Sequence, residues 1–226
     1  MKKTLLPALI VLLFFSSTSF AQLPFKIGAR VGVNFANASY SPDLASGIEK
    51  SGVTGFKFGA LAELGFIPML ALQIEPMYVQ GGSEISGPLF SNGFQLVNGK
   101  ITSKLSYLEI PILLKLKIPI PGAVKPYAFA GPNIMFLLSS KETDEASGYP
   151  SEESDQKDYT SSTNFALDFG AGVGFDIAPL ITLIIDARYS LGLSNLLNDK
   201  GKQLFNSDQS IKTTGIQIVT GVMFGL

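Results

Sequence analysis

Eight stretches of about ten residues, each with apolar side chains at every second position, constrain the fold of this chain most strongly. In the first stretch, Ile27, Val31 and Phe35 fall on one face and Arg30 and Asn34 on the other. A period of two is typical of β-strands whose faces meet different surroundings. Long and short connections alternate between the stretches. The long ones span residues 36–54, 81–100, 139–163 and 194–212, and the short ones centre on Pro68, Pro119 with Pro121, and Pro179.

This pattern predicts an all-β fold, an eight-stranded antiparallel up-and-down transmembrane β-barrel with four long extracellular loops and three short periplasmic turns. Apolar and polar residues also alternate along the strands of a soluble lipocalin-like barrel, but there the polar face is turned to water. Glycines favour the membrane barrel, because a narrow lumen needs small residues beside large ones, whereas glycine only weakens a solvated face. The polar face carries Gly28, Gly32, Gly59, Gly170, Gly172 and Gly174. We therefore predict a polar face inside and an apolar face against lipid.

The fifth stretch, about residues 125–138, does not divide cleanly into two faces. A bulge near Gly131 and Pro132 would let it change face. Four tyrosines lie toward the strand ends, where aromatic residues meet the membrane interface, and we expect them to anchor the barrel rather than stack a ligand. They are Tyr78, Tyr107, Tyr127 and Tyr189.

The N-terminus has the three zones of a secretory signal peptide. Lys2 and Lys3 precede an apolar run at residues 5–15, and a small-residue site ends at Ala21. The apolar run is too short for a membrane-spanning helix, which needs roughly 20 residues. We predict a signal peptide over residues 1–21, a single barrel domain over residues 22–226, and export to the outer membrane of a Gram-negative bacterium.

Composition excludes several classes of function. The 17 basic and 18 acidic residues leave no basic surplus for nucleic acid. Cysteine and histidine are both absent, so neither a disulfide framework nor an imidazole base or metal ligand is available. We predict a non-enzymatic protein with no cofactor and no metal. A carboxylate-only hydrolase is the alternative, with its acid pair drawn from Glu63, Glu75, Glu109 and Asp168.

Nine charged side chains fall on the polar face, and we predict that they plug the lumen as paired structural charges. Counted up from the short turns, a lower tier contains Arg30, Glu63, Glu75 and Lys115. An upper tier contains Lys57, Glu109, Asp168 and Arg188, with Asp186 between the tiers. Each tier is close to neutral.

Two further features have an ordinary structural interpretation. The third long connection carries seven acidic residues and two lysines, but it lacks the spacing of a calcium loop, so we expect a solvated loop rather than a cation site. The glycine-rich segment at residues 170–174 lies within an alternating strand, and no amphipathic helix follows it. It therefore does not predict a nucleotide-binding turn.

Several strands resemble the PorT-like family of outer-membrane β-barrel proteins. The segments that carry the resemblance are residues 72–78, Tyr107-Leu108-Glu109-Ile110-Pro111 with Lys115, residues 126–133, residues 168–175, and Ala187-Arg188-Tyr189-Ser190-Leu191-Gly192-Leu193. The resemblance covers nearly the whole mature chain. It implies an eight-stranded outer-membrane barrel, mostly without an assigned activity and with no catalytic set to carry over. Leu226 departs from the aromatic final residue of many such barrels, while Phe224 keeps the outward register.

Function is then expected to lie in the exposed loops, in envelope structure or surface interaction. Alternatives are a narrow solute channel, an accessory barrel in protein export, or a soluble periplasmic ligand-binding barrel. The expected partners are outer-membrane lipid, lipopolysaccharide and the assembly machinery, which would recognise the C-terminal strand. We expect a monomer. The sequence specifies neither a loop ligand nor a protein partner.

Overall fold

The computed structural model describes residues 24–91, 96–204 and 210–226. The predicted signal peptide and its cleavage site lie outside these residues. The described strands are β1 Phe25–Ser41, β2 Glu49–Ile67, β3 Leu70–Ile74, β4 Met77–Ser91, β5 Leu96–Lys117, β6 Val124–Ala146, β7 Glu152–Asp155, β8 Thr163–Ala178, β9 Ile181–Gly192 and β10 Ser210–Gly225. A 3-10 turn spans Lys157–Tyr159, and one short helix, α1, spans Asp199–Leu204.

The sheet is antiparallel throughout and closes on itself. Strand β1 pairs with β2 on one side and with β10 on the other. The ring continues from β2 through β3 and β4 to β5, then through β6, β8 and β9 back to β10. The result is an all-β, up-and-down, barrel-like sheet in which neighbouring strands follow one another along the chain.

Ten strands are present rather than the eight predicted, for two reasons. The third predicted strand is divided into β3 and β4 at Pro76, which has no N–H to donate. The pairing with β5 nevertheless keeps one register across the break, from Ile74 opposite Ile112 to Met77 opposite Glu109. The second reason is β7, a short strand that pairs with the end of β6.

The strands also extend well beyond the boundaries predicted for the long connections. Strands β5 and β6 contain 22 and 23 residues, and their pairing continues to Gly99 opposite Ala146. The predicted third loop, residues 139–163, is therefore largely an ordered hairpin of β6 and β7. Backbone pairing does not need apolar side chains, so it continues after the alternating pattern has ended.

The predicted inside and outside faces are confirmed. Phe35 and Phe169 on the apolar face are 47% and 43% exposed, whereas Arg30 and Asp168 on the polar face are 1% and 0% exposed. The other strands divide in the same way, and large apolar side chains cover the outside of the ring. Within the described ranges, no helix has the length and apolar character needed to cross a membrane.

The fifth predicted strand does not change face at Gly131 and Pro132. Strand β6 pairs with β8 in an unbroken register through both residues, and the irregularity lies further on, opposite Ser106 and Tyr107 of β5. The ambiguity arose because the first half of β6 has its large apolar residues on the inward face, unlike most of the other strands. Tyr127 and Phe129 point inward, while alanines occupy the outer positions beside them.

The interface role predicted for the tyrosines is wrong for two of the four. Tyr107 and Tyr127 are 3% and 4% exposed and fill the interior. Tyr78 and Tyr189 lie on the outer face, where they contact Phe58 and Phe169 with ring centroids 5.3 and 5.5 Å apart. Position near a strand end does not distinguish an inward tyrosine from an outward one. The direction of the side chain is decided by strand parity, because successive residues of a strand point to opposite faces.

Candidate functional site

The interior of the ring is the candidate site, because it gathers nearly all the buried charge. We call the end at Pro68 and Pro179 the turn end, and the opposite end, where the long connections lie, the loop end. Three clusters of charged and polar side chains follow one another along the interior. Apolar side chains pack between them.

The middle cluster joins two arginines to two carboxylates. Arg30 donates to both Glu75 and Asp186. Arg188 Nη1 donates to Glu75 Oε2 at 2.8 Å, and its Nη2 donates to Asp186 Oδ1 at 3.0 Å. Tyr127 completes the cluster by donating to Asp186 Oδ2 at 3.0 Å. All four charged side chains are fully buried, and their charges cancel.

The turn-end cluster contains one carboxylate between two lysines. Lys115 Nζ lies 2.9 Å from Glu63 Oε2, and Lys117 pairs with the other oxygen of the same carboxylate. Lys115 Nζ also donates to Gln73 Oε1 at 3.1 Å, and it lies 3.8 Å from the centre of the Tyr127 ring. The last contact links the turn-end and middle clusters.

The loop-end cluster contains one lysine and two carboxylates. Lys57 Nζ lies 3.4 Å from Glu109 Oε2 and also donates to Gln217. Asn133 Nδ2 lies 3.2 Å from both Glu109 Oε2 and Asp168 Oδ2, so its amide bridges the two carboxylates. Ser190 Oγ donates to Asp168 Oδ1 at 2.7 Å.

All nine predicted lumen charges are thus buried in the interior, but in three clusters rather than two tiers. Arg188 was assigned to the upper tier, yet it contacts Glu75 and Asp186 in the middle cluster. Arg30 and Glu75 were assigned to the lower tier with Glu63, yet Arg30 pairs with Glu75 and Asp186 in the middle cluster, and Gln73 links Glu75 to the turn-end cluster. Strand tilt causes the difference, because residues at equal distances from their turns do not lie at equal heights in a tilted sheet.

Sequence reasoning missed the polar partners of these charges. They are Gln73, Lys117, Tyr127, Asn133, Ser190 and Gln217. A signal was present for all six, since each lies on the inward parity of its strand, and Lys117 follows the inward Lys115 by two positions. Lys117 is 26% exposed in its side chain, at the turn end of β5.

Glycines on neighbouring strands give the buried charges their room. Arg30 lies between Gly59 of β2 and Gly221 of β10, and Arg188 lies opposite Gly170. A Cβ at Gly170 would come within 2.8 Å of the Phe129 ring, and one at Gly172 would come within 2.7 Å of the Tyr127 hydroxyl. The predicted use of glycine to accommodate large interior side chains is confirmed at these positions.

Cavities of about 440 Å³ lie at both ends of the interior. The loop-end cavity is bordered by β4, β5, β6 and the 3-10 turn. A smaller space of about 40 Å³ lies beneath it, beside Glu109 and Tyr107. The turn-end cavity lies between Lys115, Lys117 and the proline-rich turn of residues 118–121. Within the described ranges, no group of three or more carboxylates is arranged to hold a metal ion.

The sequence matches the profile of a family described as Outer membrane protein beta-barrel domain, over residues 20–198. The chain belongs to this family. Membership implies an outer-membrane β-barrel protein of a Gram-negative bacterium. The match does not show membership of the PorT-like group named above.

Several solved structures of outer-membrane proteins are similar to this chain. The structure of OprG from Pseudomonas aeruginosa matches at a TM-score of 0.54 and 13% identity, covering 90% of this chain and 96% of that one. Neisserial surface protein A matches at 0.47 and 17%, covering 88% and 96%. Ail of Yersinia pestis matches at 0.39 and 14%, covering 88% and 98%. At these identities the likeness concerns the fold alone. No curated protein sequence matches significantly.

Proposed function

We propose that this chain is a non-enzymatic integral outer-membrane protein with a sealed lumen, and that it acts through its extracellular loops in envelope structure or surface interaction. It would be an eight-stranded transmembrane barrel, with β3 and β4 forming one strand, the loop end outside the cell and the turn end in the periplasm. The observation that carries the proposal is that every predicted lumen charge has an ion-pair or hydrogen-bond partner within an interior filled by side chains.

The apolar interior layers support the sealed lumen. Leu61, Leu113, Ile184 and Met223 pack with Tyr127 and Phe129 between the turn-end and middle clusters. Tyr107, Leu105, Met135 and Leu137 pack above the loop-end cluster. Water and ions crossing the lumen would have to displace these layers and separate buried ion pairs, which costs several kcal/mol for each charge left unpaired.

The arrangement of the carboxylates supports a structural rather than a hydrolytic role. Of the four candidate acids, Glu63 and Glu75 belong to different clusters, and each is paired with cations. Glu109 and Asp168 lie close together, but both are buried and share the Asn133 amide. A hydrolytic pair needs space for substrate and water between its carboxyl groups.

The finer features of the proposal concern export and partners. Residues 1–21 would be removed as a signal peptide, and the mature chain would resemble the PorT-like group. The outward apolar face would contact outer-membrane lipid and lipopolysaccharide. Strand β10, with Phe224 facing outward, would be recognised by the assembly machinery. The barrel would act as a monomer.

Single-channel recording in planar bilayers tests the sealed lumen. The purified protein should give no steady ohmic conductance, because the charge clusters and apolar layers close the path. A reproducible conductance of single-channel size would contradict the proposal and favour the narrow-channel alternative. The variant Arg188→Ala, which opens the middle cluster, is a positive control for the ability of the assay to detect a leak.

A further inference from the structure

The loop-end cavity has the features of a binding site for a small organic molecule. Its volume is about 440 Å³, and much of its wall is apolar, with Ile85 of β4, Ile101 and Leu105 of β5, Leu197 and Ile211 among the lining residues. A mostly apolar concavity of this size with a few polar groups is typical of ligand pockets. Those polar groups include the hydroxyls of Ser83, Ser103, Ser140 and Thr160.

One carboxylate in the wall has no cationic partner. Glu142 of β6 lines the cavity and, among the described residues, accepts two long hydrogen bonds, from Ser103 Oγ at 3.4 Å and from Gln156 Nε2 at 3.3 Å. None of the ion pairs among the described residues includes Glu142. This isolation contrasts with the interior clusters, where each carboxylate meets a cation or the amide and hydroxyl of its cluster.

Nearby lysines are already paired elsewhere. Lys141, which precedes Glu142 in β6, also borders the cavity, but its side chain is exposed and its Nζ lies 2.6 Å from Glu153 Oε1. Lys100 of β5 pairs with Glu84 and Glu145. Two residues beyond Glu142, one buried oxygen of Asp144 finds no hydrogen-bond partner among the described residues. The carboxylates on the inward parity of β6 therefore present uncompensated negative charge at and above the cavity.

We propose that the loop-end cavity binds a small amphipathic amine, whose hydrocarbon body contacts the isoleucine and leucine wall and whose ammonium group pairs with Glu142. The inference deepens the proposed function, since it rests on the loop end being the extracellular surface of the barrel. Desolvated carboxylates attract a cation far more strongly than exposed ones. Tyr40 and Tyr159 also line the cavity and add their hydroxyl groups to its polar wall.

Three probes that share a six-carbon chain test the proposal: hexylamine, 1-hexanol and hexanoate. The protein is held in lipid nanodiscs, and binding is followed through methyl signals of labelled isoleucine. Ile85, Ile101 and Ile211 report on the cavity, whereas Ile185 and Ile216 on the outer face report on partition into lipid. Hexylamine should shift the cavity signals at a concentration at least tenfold below that of 1-hexanol, and hexanoate should not shift them.

Charge variants separate pairing from general attraction. Glu142→Gln should weaken hexylamine binding about tenfold and leave 1-hexanol binding unchanged. Glu145→Gln removes the same charge from the same strand, at an exposed ion pair with Lys100. It should change neither hexylamine binding nor 1-hexanol binding. Leu197→Trp, which narrows the cavity, should weaken both ligands and gives a second test if Glu142→Gln fails to fold.

Equal affinity for hexylamine and 1-hexanol, binding of hexanoate, or shifts confined to Ile185 and Ile216 would overturn the amine site. These results are independent of the planar-bilayer recording. A barrel that does not conduct and does not bind hexylamine selectively would contradict the cavity proposal alone. A barrel that conducts and does bind hexylamine selectively would contradict only the sealed lumen.

Discussion

At the scale of single residues, the buried charges act as matched groups rather than as separate pairs. Charged side chains in the interior have lost the hydration that they would have in water. An intact cluster is therefore not necessarily a source of stability. Removing one member is different, because its partners then stay buried without compensation. Glu75 is highly connected, since it accepts from both Arg30 and Arg188 and from Gln73, and Asp186 likewise accepts from both arginines and from Tyr127.

We expect Glu75→Gln to assemble into membranes but to lower the free energy of unfolding by about 3–5 kcal/mol, the usual cost of breaking a buried ion pair. Two arginines would then share Asp186. Reversible urea unfolding in lipid vesicles measures the effect. Glu84→Gln, at an exposed pair with Lys100, is the matched control and should cost under about 1 kcal/mol. Equal effects of the two variants would argue against the cluster.

Binding at Glu142 should depend on pH. Burial in the cavity wall raises the pKa of the Glu142 carboxyl above its ordinary value, and the negative charge of Asp144 raises it further. The pKa of Asp144 is itself raised by burial and by Glu152 of β7, while Lys141 pairs with Glu153. The ammonium group needs the ionised carboxylate, so protonation of Glu142 opposes binding.

Hexylamine affinity should therefore be full at neutral pH and fall as the pH drops through the raised pKa, at a higher pH than for an exposed glutamate of pKa about 4.3. The same methyl signals measure it. Binding of 1-hexanol should stay constant over this range. A hexylamine affinity that does not change down to the pKa of an exposed glutamate would count against Glu142 as the counter-ion.

At the scale of the strand, parity controls which residues meet the membrane and which meet each other. Phe169 and Asp168 are neighbours in β8, yet one is 43% exposed on the outer face and the other is fully buried. The interior positions are further restricted by cross-strand neighbours. Each interior cluster contains a large or charged side chain that lies opposite a glycine or alanine of an adjacent strand. For example, Lys57 lies opposite Gly32, and Lys115 lies opposite Ala71.

Phe169→Arg should lower the stability of the inserted protein by about 2–4 kcal/mol if the residue lies near the middle of the bilayer, because the charge would face lipid. Phe169→Leu should cost much less. Tyr149→Arg, at an exposed position in the hairpin between β6 and β7, is a control beyond the bilayer and should have no measurable effect. Folding into vesicles is measured by heat-modifiable migration on a denaturing gel.

Two glycines of β8 should respond differently to alanine. At Gly172 a new Cβ would lie 2.5 Å from both Ile185 O and Asp186 Cβ, and a backbone oxygen cannot move aside freely. Overpacking of this kind costs about 1–3 kcal/mol. At Gly174, on the same face, the nearest atom would be Thr182 Cγ2 at 3.1 Å, so Gly174→Ala should be close to neutral. Urea unfolding of both variants compares them, and equal costs would contradict the packing argument.

At the scale of the whole molecule, the fold is inverted relative to a soluble barrel, with charge inside and apolar surface outside. A water-soluble protein rarely exposes a continuous apolar patch above a few hundred Å². Here large exposed apolar side chains occur, among the described residues, on every strand of the closed ring except β4. The protein should therefore depend on an amphiphile for its solubility.

Residues 22–226 should elute as a single monomeric species in detergent and should aggregate when the detergent is removed. Size-exclusion chromatography before and after removal measures this, and heat-modifiable migration verifies that the starting sample is folded. A monodisperse folded protein in plain buffer would contradict the membrane interpretation altogether. A dimeric species in detergent would contradict only the expected monomer.

The sequence by itself determined the strand character, the direction of the chain and the two faces, because a period of two is a local property that each strand expresses independently. It also placed the nine charged residues in the interior. Only the tertiary structure decided which of them meet, since strand tilt and stagger set the heights at which distant residues face each other. Arg188 joins Glu75 across 113 positions of sequence for this reason. The cavity around Glu142 likewise depends on Gln156, Tyr159 and Thr160, in and beside the 3-10 turn, packing near the loop end of the strands, an arrangement that no repeating pattern in the chain encodes.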